Sequence, residues 1–142
     1  MPSDPKKRGV SFFDRTTSRP DPLRALVVDD NSFTLNLVRR MLEALGFQVD
    51  AANGGVQAKQ LADRCRYSLV LTDFQMPEID GYALATWFKG NFEFTRVFVM
   101  TGCSRDEVVD YINTGLVDRW IFKPFSLSQL GELVDGLAGV KS

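Results

Sequence analysis

The sequence predicts an α/β domain: a parallel β-sheet with helices packed on both of its faces. Three observations predict it. Short, largely apolar runs recur, at Leu23-Arg-Ala-Leu-Val-Val28, Tyr67-Ser-Leu-Val-Leu-Thr72, Val97-Phe-Val-Met100 and Trp120-Ile-Phe122. They have the length and composition of strands buried on both sides. Segments of helical periodicity alternate with such runs five times, which is the signature of βα units joined by right-handed crossovers. Finally, each of the four runs ends in a polar group: Asp29-Asp30, Asp73, Thr101 and Lys123-Pro124. Strand C-termini are where open α/β sheets keep their ligand sites.

Taken in order, the Leu23 run is the first strand. Asn31-Ser32 then opens a helix with Leu35, Val38, Met41, Leu42 and Leu45 on one face and Gly46 as its stop. A short strand, Phe47 to Ala51, leads through Asn53-Gly54-Gly55 to a second helix ending near Arg64. The Tyr67 run is the third strand, and Pro77 and Gly81 mark the loop after it. Gly81 opens a third helix carrying Leu84, Trp87 and Phe88. Ser104-Arg-Asp-Glu107 and Ser126-Leu-Ser-Gln129 have the capping-box form and start the fourth and fifth helices, the last ending near Gly139. The aromatic residues Trp87, Phe88, Phe92, Phe94 and Phe98 read mostly as core; Phe92 and Phe94 fall in the loop after the third helix, where exposure is the lesser alternative.

The 142 residues suit one ordinary domain. Residues 1–22 are rich in Pro, Ser and Thr around Lys6-Lys7-Arg8 and read as a flexible tail with a Val10, Phe12, Phe13 island; residues 23–142 form the domain. A net charge of −1 supplies no field for nucleic acid or for an anionic membrane, and no apolar stretch approaches the roughly 20 residues that span a bilayer. No apolar segment follows the basic N-terminal residues, so a secretory signal is not expected; two cysteines fit reduced thiols in the cytoplasm. The chain has no histidine, which removes histidine-based catalysis, histidine metal ligands and a phosphohistidine of its own.

Four motifs, in order, carry a resemblance: Val-Val-Asp29-Asp30-Asn, Leu-Thr-Asp73-Phe-Gln-Met-Pro77-Glu-Ile-Asp80-Gly81, Val-Met-Thr101-Gly and Phe-Lys123-Pro124-Phe. From Leu23 to Gly139 the chain resembles the receiver domains of two-component response regulators. The resemblance implies a five-stranded, flavodoxin-like sheet of order 2-1-3-4-5 flanked by five helices. It implies Asp73 as phosphoacceptor, supplied by a histidine kinase or histidine phosphotransfer protein. Asp30 and Asp73 are then direct metal ligands, Asp29 a ligand through water, and Gln75 a ligand through its backbone carbonyl. Lys123–Pro124 becomes the expected cis peptide, and Trp120 takes the place of the aromatic that turns inward as Thr101 moves toward the phosphoryl group. Trp is larger than the usual Tyr or Phe, so an inward turn carries an overpacking cost of typically about 1–3 kcal/mol. Gln75 and Cys103, two residues past Asp73 and Thr101, are implied to tune the lifetime of the phosphorylated state.

The residues support that chemistry on their own terms. A carboxylate can accept a phosphoryl group to give an acyl phosphate, provided the oxygen charge is neutralised and the nucleophile is aligned. Asp29, Asp30 and Asp73 repel one another unless a hard divalent cation sits among them, which favours Mg²⁺, with Mn²⁺ as the alternative. Lys123 supplies a point charge and Thr101 a hydroxyl donor. The resulting expectation is a stand-alone cytoplasmic regulator, acting through phosphorylation-dependent contacts with a downstream protein, or with a second copy of itself, around its fourth helix, fifth strand and fifth helix. Two alternatives stand beside it: a receiver-fold interaction module that does not use phosphorylation, and a haloacid-dehalogenase-type phosphatase. The latter places an acid two residues after its nucleophile, where this chain has Gln75.

Overall fold

The computed structural model describes residues 21–135 and 137. The Tyr67–Asp73 run forms β3, buried at every position and central in a five-stranded parallel sheet. It is flanked by β1 (Asp21–Val28) and β4 (Arg96–Thr101), while β2 (Gln48–Ala52) and β5 (Arg119–Phe122) lie at the edges. The order is β2-β1-β3-β4-β5, as the resemblance implies. Registers Val28↔Thr72 and Thr101↔Phe122 bring the ends of four strands to one edge of the sheet.

Alternate residues of each strand serve opposite faces. Ala25, Val27, Leu69, Leu71, Phe98, Met100 and Ile121 pack with Val38 and Leu42 of α1 (Ser32–Ala44) and Leu130 and Val134 of α5 (Leu127–Val134). Leu26, Val28, Val70, Val97 and Val99 face α2 (Gly55–Ala62) and α3 (Gly81–Asn91), meeting Ala58, Ala62, Leu84, Ala85 and Phe88. Each fully buried Leu or Val in these layers contributes about 1.5–3 kcal/mol relative to exposure. The predicted aromatic group is therefore divided by the sheet, with Phe88 and Phe92 on one side and Phe98 on the other. Of the two aromatics after the third helix, Phe92 takes the core reading: it caps α3 and its ring meets Trp87 and Phe88; Phe94 is half-buried.

Caps set the helix starts. Asn31 accepts from Thr34 N–H at 3.0 Å, Asp80 from Ala83 N–H at 2.8 Å, and Ser126 and Gln129 exchange both bonds of a capping box. The Ser104–Glu107 box also forms, but it opens a 3₁₀ turn (Asp106–Val108) that gives way to a short α4 (Val109–Asn113). Other boundaries differ modestly from expectation. β1 begins at Asp21 rather than Leu23; Pro22 offers no N–H to the ladder, and the register with β3 shifts between Asp21 and Ala25. β2 is displaced one residue, from Phe47–Ala51 to Gln48–Ala52, α2 ends at Ala62 rather than near Arg64, and α5 ends at Val134 rather than near Gly139. The N-terminal tail, its Val10, Phe12, Phe13 island and Gly139 lie outside the described residues.

Candidate functional site

Asp29 follows β1 directly, its N–H held by Ala52 O at 3.1 Å, so its side chain enters the sheet edge almost fully enclosed at 1% exposure. One oxygen, Oδ1, accepts from Asn31 N–H at 2.9 Å. The other, Oδ2, is buried without a hydrogen-bond donor and lies 3.6 Å from Lys123 Nζ, an ionic contact beyond hydrogen-bond length. Asp73, the last residue of β3, receives Lys123 Nζ on Oδ1 at 2.8 Å. Asp30 is exposed at the rim, and the three carboxyl groups each place an oxygen within 4.8 Å of the others. Burial raises the Asp29 pKa, with Asp73 and Asp30 adding to the rise and the Asn31 N–H and Lys123 opposing it. An orphaned buried carboxylate oxygen in an all-oxygen cluster fits a hard divalent cation.

Thr101 ends β4 and is buried, with Oγ1 accepting from Cys103 N–H at 3.0 Å. Its carbonyl accepts from Lys123 N–H at 2.8 Å, which pins the start of the loop after β5 to the end of β4. The Lys123–Pro124 peptide is cis. Asp29, Asp30, Asp73 and Lys123 thus converge, and Thr101 stands at the end of the strand next to β3.

The loop after β3 is fixed by close packing. Glu78 adopts φ +69°, and Gly81 donates its N–H to Phe74 O at 2.7 Å. A methyl on Gly81 would overlap the carbonyl oxygen of Asp73, so glycine lets α3 start directly against the residue at the site's centre. Gln75 lies on this loop with its side chain exposed, and Cys103 is half-buried beside Thr101. Trp120 is half-buried, its ring edge-on to Phe74 with centroids 5.6 Å apart. Phe74 in turn meets Tyr111 at 5.1 Å, and Tyr111 meets Tyr82 at 4.9 Å. Sequence reasoning singles out none of Phe74, Tyr82 and Tyr111. The one local signal is that Phe74 directly follows Asp73; the pairing of rings from three separate segments has no periodicity to betray it.

A family profile described as "Response regulator receiver domain" matches residues 25–135. The chain belongs to the response regulator receiver family. As a receiver it is 28% identical over 120 residues to the polar-differentiation response regulator DivK of Brucella anthropi, covering 83% of this chain and 98% of that protein. It is 32% identical over 119 residues to the transcriptional regulatory protein TrcR of Mycobacterium tuberculosis, covering 82% of this chain but only 45% of TrcR. Among solved structures, TrrA of Thermotoga maritima, in complex with Mg²⁺–BeF, superposes with a TM-score of 0.71 at 27% identity, over 78% of this receiver and 95% of TrrA. The magnesium-bound receiver domain of the histidine kinase PA1611 of Pseudomonas aeruginosa shares the fold at a TM-score of 0.73 and 24% identity, over 82% and 98% of the two chains. No helix among the described residues is long and apolar enough to cross a membrane.

Proposed function

We propose that this receiver accepts a phosphoryl group on Asp73 from the phosphohistidine of a partner kinase or phosphotransfer protein. An Asp73 carboxylate oxygen forms the new O–P bond, the N–P bond of the donor imidazole breaks, and the imidazole leaves with that electron pair. The observation that supports this best is the convergence of Lys123, Asp73 and the orphaned Asp29 oxygen in one acidic pocket. Asp30 and Asp73, with Asp29 through water and Gln75 through its backbone carbonyl, are the residues suited to hold Mg²⁺, or Mn²⁺ in its place. Once bound, such an ion supplies charge neutralisation for the phosphoryl oxygens. Lys123 offers its ammonium to one phosphoryl oxygen and Thr101 its hydroxyl to another. Gln75 and Cys103 flank the approach of hydrolytic water and set the lifetime of the product.

A surface for the donor lies beside the pocket. Thr34, Leu37, Val38 and Met41 of α1 and Lys123, Pro124 and Phe125 line a mostly apolar hollow. A helical partner seated there would bring its phosphohistidine to Lys123 and Asp73. Output passes through the face formed by α4, β5 and α5 to a downstream protein or a second receiver in the cytoplasm.

Two other readings are weaker. An interaction module indifferent to phosphorylation has no use for a lysine held between two acids. A phosphatase acting on other molecules lacks the acid two residues beyond Asp73, where Gln75 stands. The test is incubation with Mg²⁺ and acetyl phosphate followed by intact mass. One phosphate-sized increment, absent in Asp73→Asn, is expected. No increment together with no Mg²⁺ binding sinks the proposal, and steady phosphate release from many monoesters favours the phosphatase.

A further inference from the structure

We propose that Phe74 is a positioning residue that ties α4 to the phosphoacceptor, so that the state of Asp73 is read at Tyr111. This deepens the phosphoacceptor reading and rests on it. Both backbone polar groups of Phe74 are fixed: its N–H donates to Met100 O at 2.9 Å and its carbonyl accepts from Gly81 N–H at 2.7 Å. The main chain at this position therefore has little freedom, and the ring is the part that can respond. That ring stands edge-on to Trp120 of β5 and to Tyr111 of α4. Any change in the Trp120 rotamer alters one side of the Phe74 ring, whose other side holds Tyr111.

The second observation concerns α4. It is five residues long and none of its residues is fully buried; Val108, just before it, is. An element with so little buried apolar surface is weakly held and opens readily. Tyr111 is its aromatic anchor, gripped by Phe74 on one side and Tyr82 of α3 on the other. Tyr111 and Val109 are also exposed enough, at 38% and 40%, to form part of an outward surface. A change in one ring contact at Phe74 is thus placed to shift a weakly held helix that a partner can touch. Edge contacts of this kind are orientation-sensitive, so replacing the ring with an aliphatic side chain of similar bulk removes the coupling while keeping most of the packing.

The experiment uses the full chain labelled with 3-fluorotyrosine and 5-fluorotryptophan, titrated with Mg²⁺ and beryllofluoride and followed by ¹⁹F NMR. In the unsubstituted protein, Trp120 and Tyr111 resonances should shift together. Phe74→Leu should bind Mg²⁺ and beryllofluoride within about twofold of the parent affinity and keep the Trp120 shift, but lose at least half of the Tyr111 shift. Amide exchange over 109–114 should quicken several-fold in that variant even without ligand, and Phe74→Trp, which restores a ring, should recover both readouts. A Tyr111 shift of full size in Phe74→Leu overturns the proposal, as does a Tyr111 resonance that stays still in the parent protein while Trp120 moves. Failure of the parent protein to bind beryllofluoride overturns the phosphoacceptor reading itself, a result separable from the other two by the unchanged Trp120 signal.

Discussion

Gly81→Ala tests how closely the site depends on packing rather than on its charged groups. The backbone of Gly81 has no left-handed φ, so the cost of adding a methyl is steric alone. That methyl would overlap the Asp73 carbonyl oxygen and lie 2.9 Å from Phe74 Cα and 3.0 Å from the Asp73 carbonyl carbon. All three are main-chain atoms, held by β3 and by the Phe74 N–H bond to Met100, and none can swing aside as a side-chain tip would. Relief needs α3 to retreat by on the order of 1 Å, which strains or breaks the 2.7 Å bond from Gly81 N–H to Phe74 O. Overpacking of about 1–3 kcal/mol together with a lost hydrogen bond of about 1 kcal/mol gives a destabilisation of about 2–4 kcal/mol. For a domain of this size that lowers the melting temperature by roughly 8–15 °C. Thermal melts followed by circular dichroism measure it, and a Mg²⁺ titration read by tryptophan fluorescence should show affinity reduced at least about fivefold, because Asp73 is pushed from its place. Gly102→Ala is the control: it adjoins Thr101 but its methyl meets nothing within 4 Å, so a change within about 0.5 kcal/mol is expected. A Gly81→Ala protein that melts within about 2 °C of the parent, with Mg²⁺ affinity intact, would refute the steric argument.

Three further perturbations follow from the same geometry. Asp29→Asn should weaken Mg²⁺ binding at least about tenfold yet stabilise the metal-free protein at neutral pH by about 1 kcal/mol, since it removes a buried charge beside two acids. The pH dependence has a definite sign: burial raises the folded pKa of Asp29, so its contribution to stability is complete below the unfolded carboxylate value and is lost as pH rises through the folded one. Metal-free melts of the parent should therefore fall relative to Asp29→Asn as pH climbs above the ordinary range of about 3.9, and parallel curves would count against the burial argument. Gly55→Ala places a methyl 2.8 Å from Ile79 Cβ and should cost about 1–3 kcal/mol, while Gly55→Ala with Ile79→Ala should cost less than the sum of the single changes in urea melts. Lys123→Met frees the Asp73 oxygen and should tighten Mg²⁺ binding about fivefold at low salt, the yield of one partly buried ion pair, while slowing acetyl-phosphate labelling.

What the sequence disclosed and what it withheld divide along a physical line. The strands were legible because burial on both faces demands unbroken apolar runs, and the polar residues that end them then had to sit at one sheet edge. Asp29, Asp73, Thr101 and Lys123 were thereby placed from the chain alone, and the cis bond at Pro124 came with the resemblance. Helix starts were legible where a side-chain cap exists, at Asn31, Ser104 and Ser126; helix ends were less so, because α2 stops with no glycine after it and the segment after α5 offers two glycine stop signals, Gly136 and Gly139. The split of α4 into a 3₁₀ turn and a short helix follows from its having almost nothing to bury, which depends on its neighbours and not on its own pattern. Phe92 was legible only as either core or exposed loop, because its position after the third helix fits both; the ring folds back on Trp87 and Phe88. The contact of Phe74 with Trp120 and Tyr111 joins residues far apart in the chain, and no local rule encodes it.

The pocket's design follows from a conflict among its own groups. Three carboxyl groups cluster around a single ammonium that pairs with two of them, 2.8 Å from Asp73 and 3.6 Å from Asp29, and one Asp29 oxygen is left without a donor. Such an arrangement is poor for stability, since partly compensated buried charge is costly. It makes sense as a site whose best partner is absent from the chain. Lys123 partly fills the place of a cation at Asp73, and under the proposed function it serves an incoming phosphoryl group only once the carboxylates are neutralised by something else. Under the proposed function a divalent ion does so, leaving Lys123 free to turn from Asp73 to a phosphoryl oxygen. Metal dependence and phosphoryl acceptance are then two consequences of one electrostatic imbalance, and both are set by the register that brings the ends of β1, β3 and β4 and the start of the β5–α5 loop to a common edge.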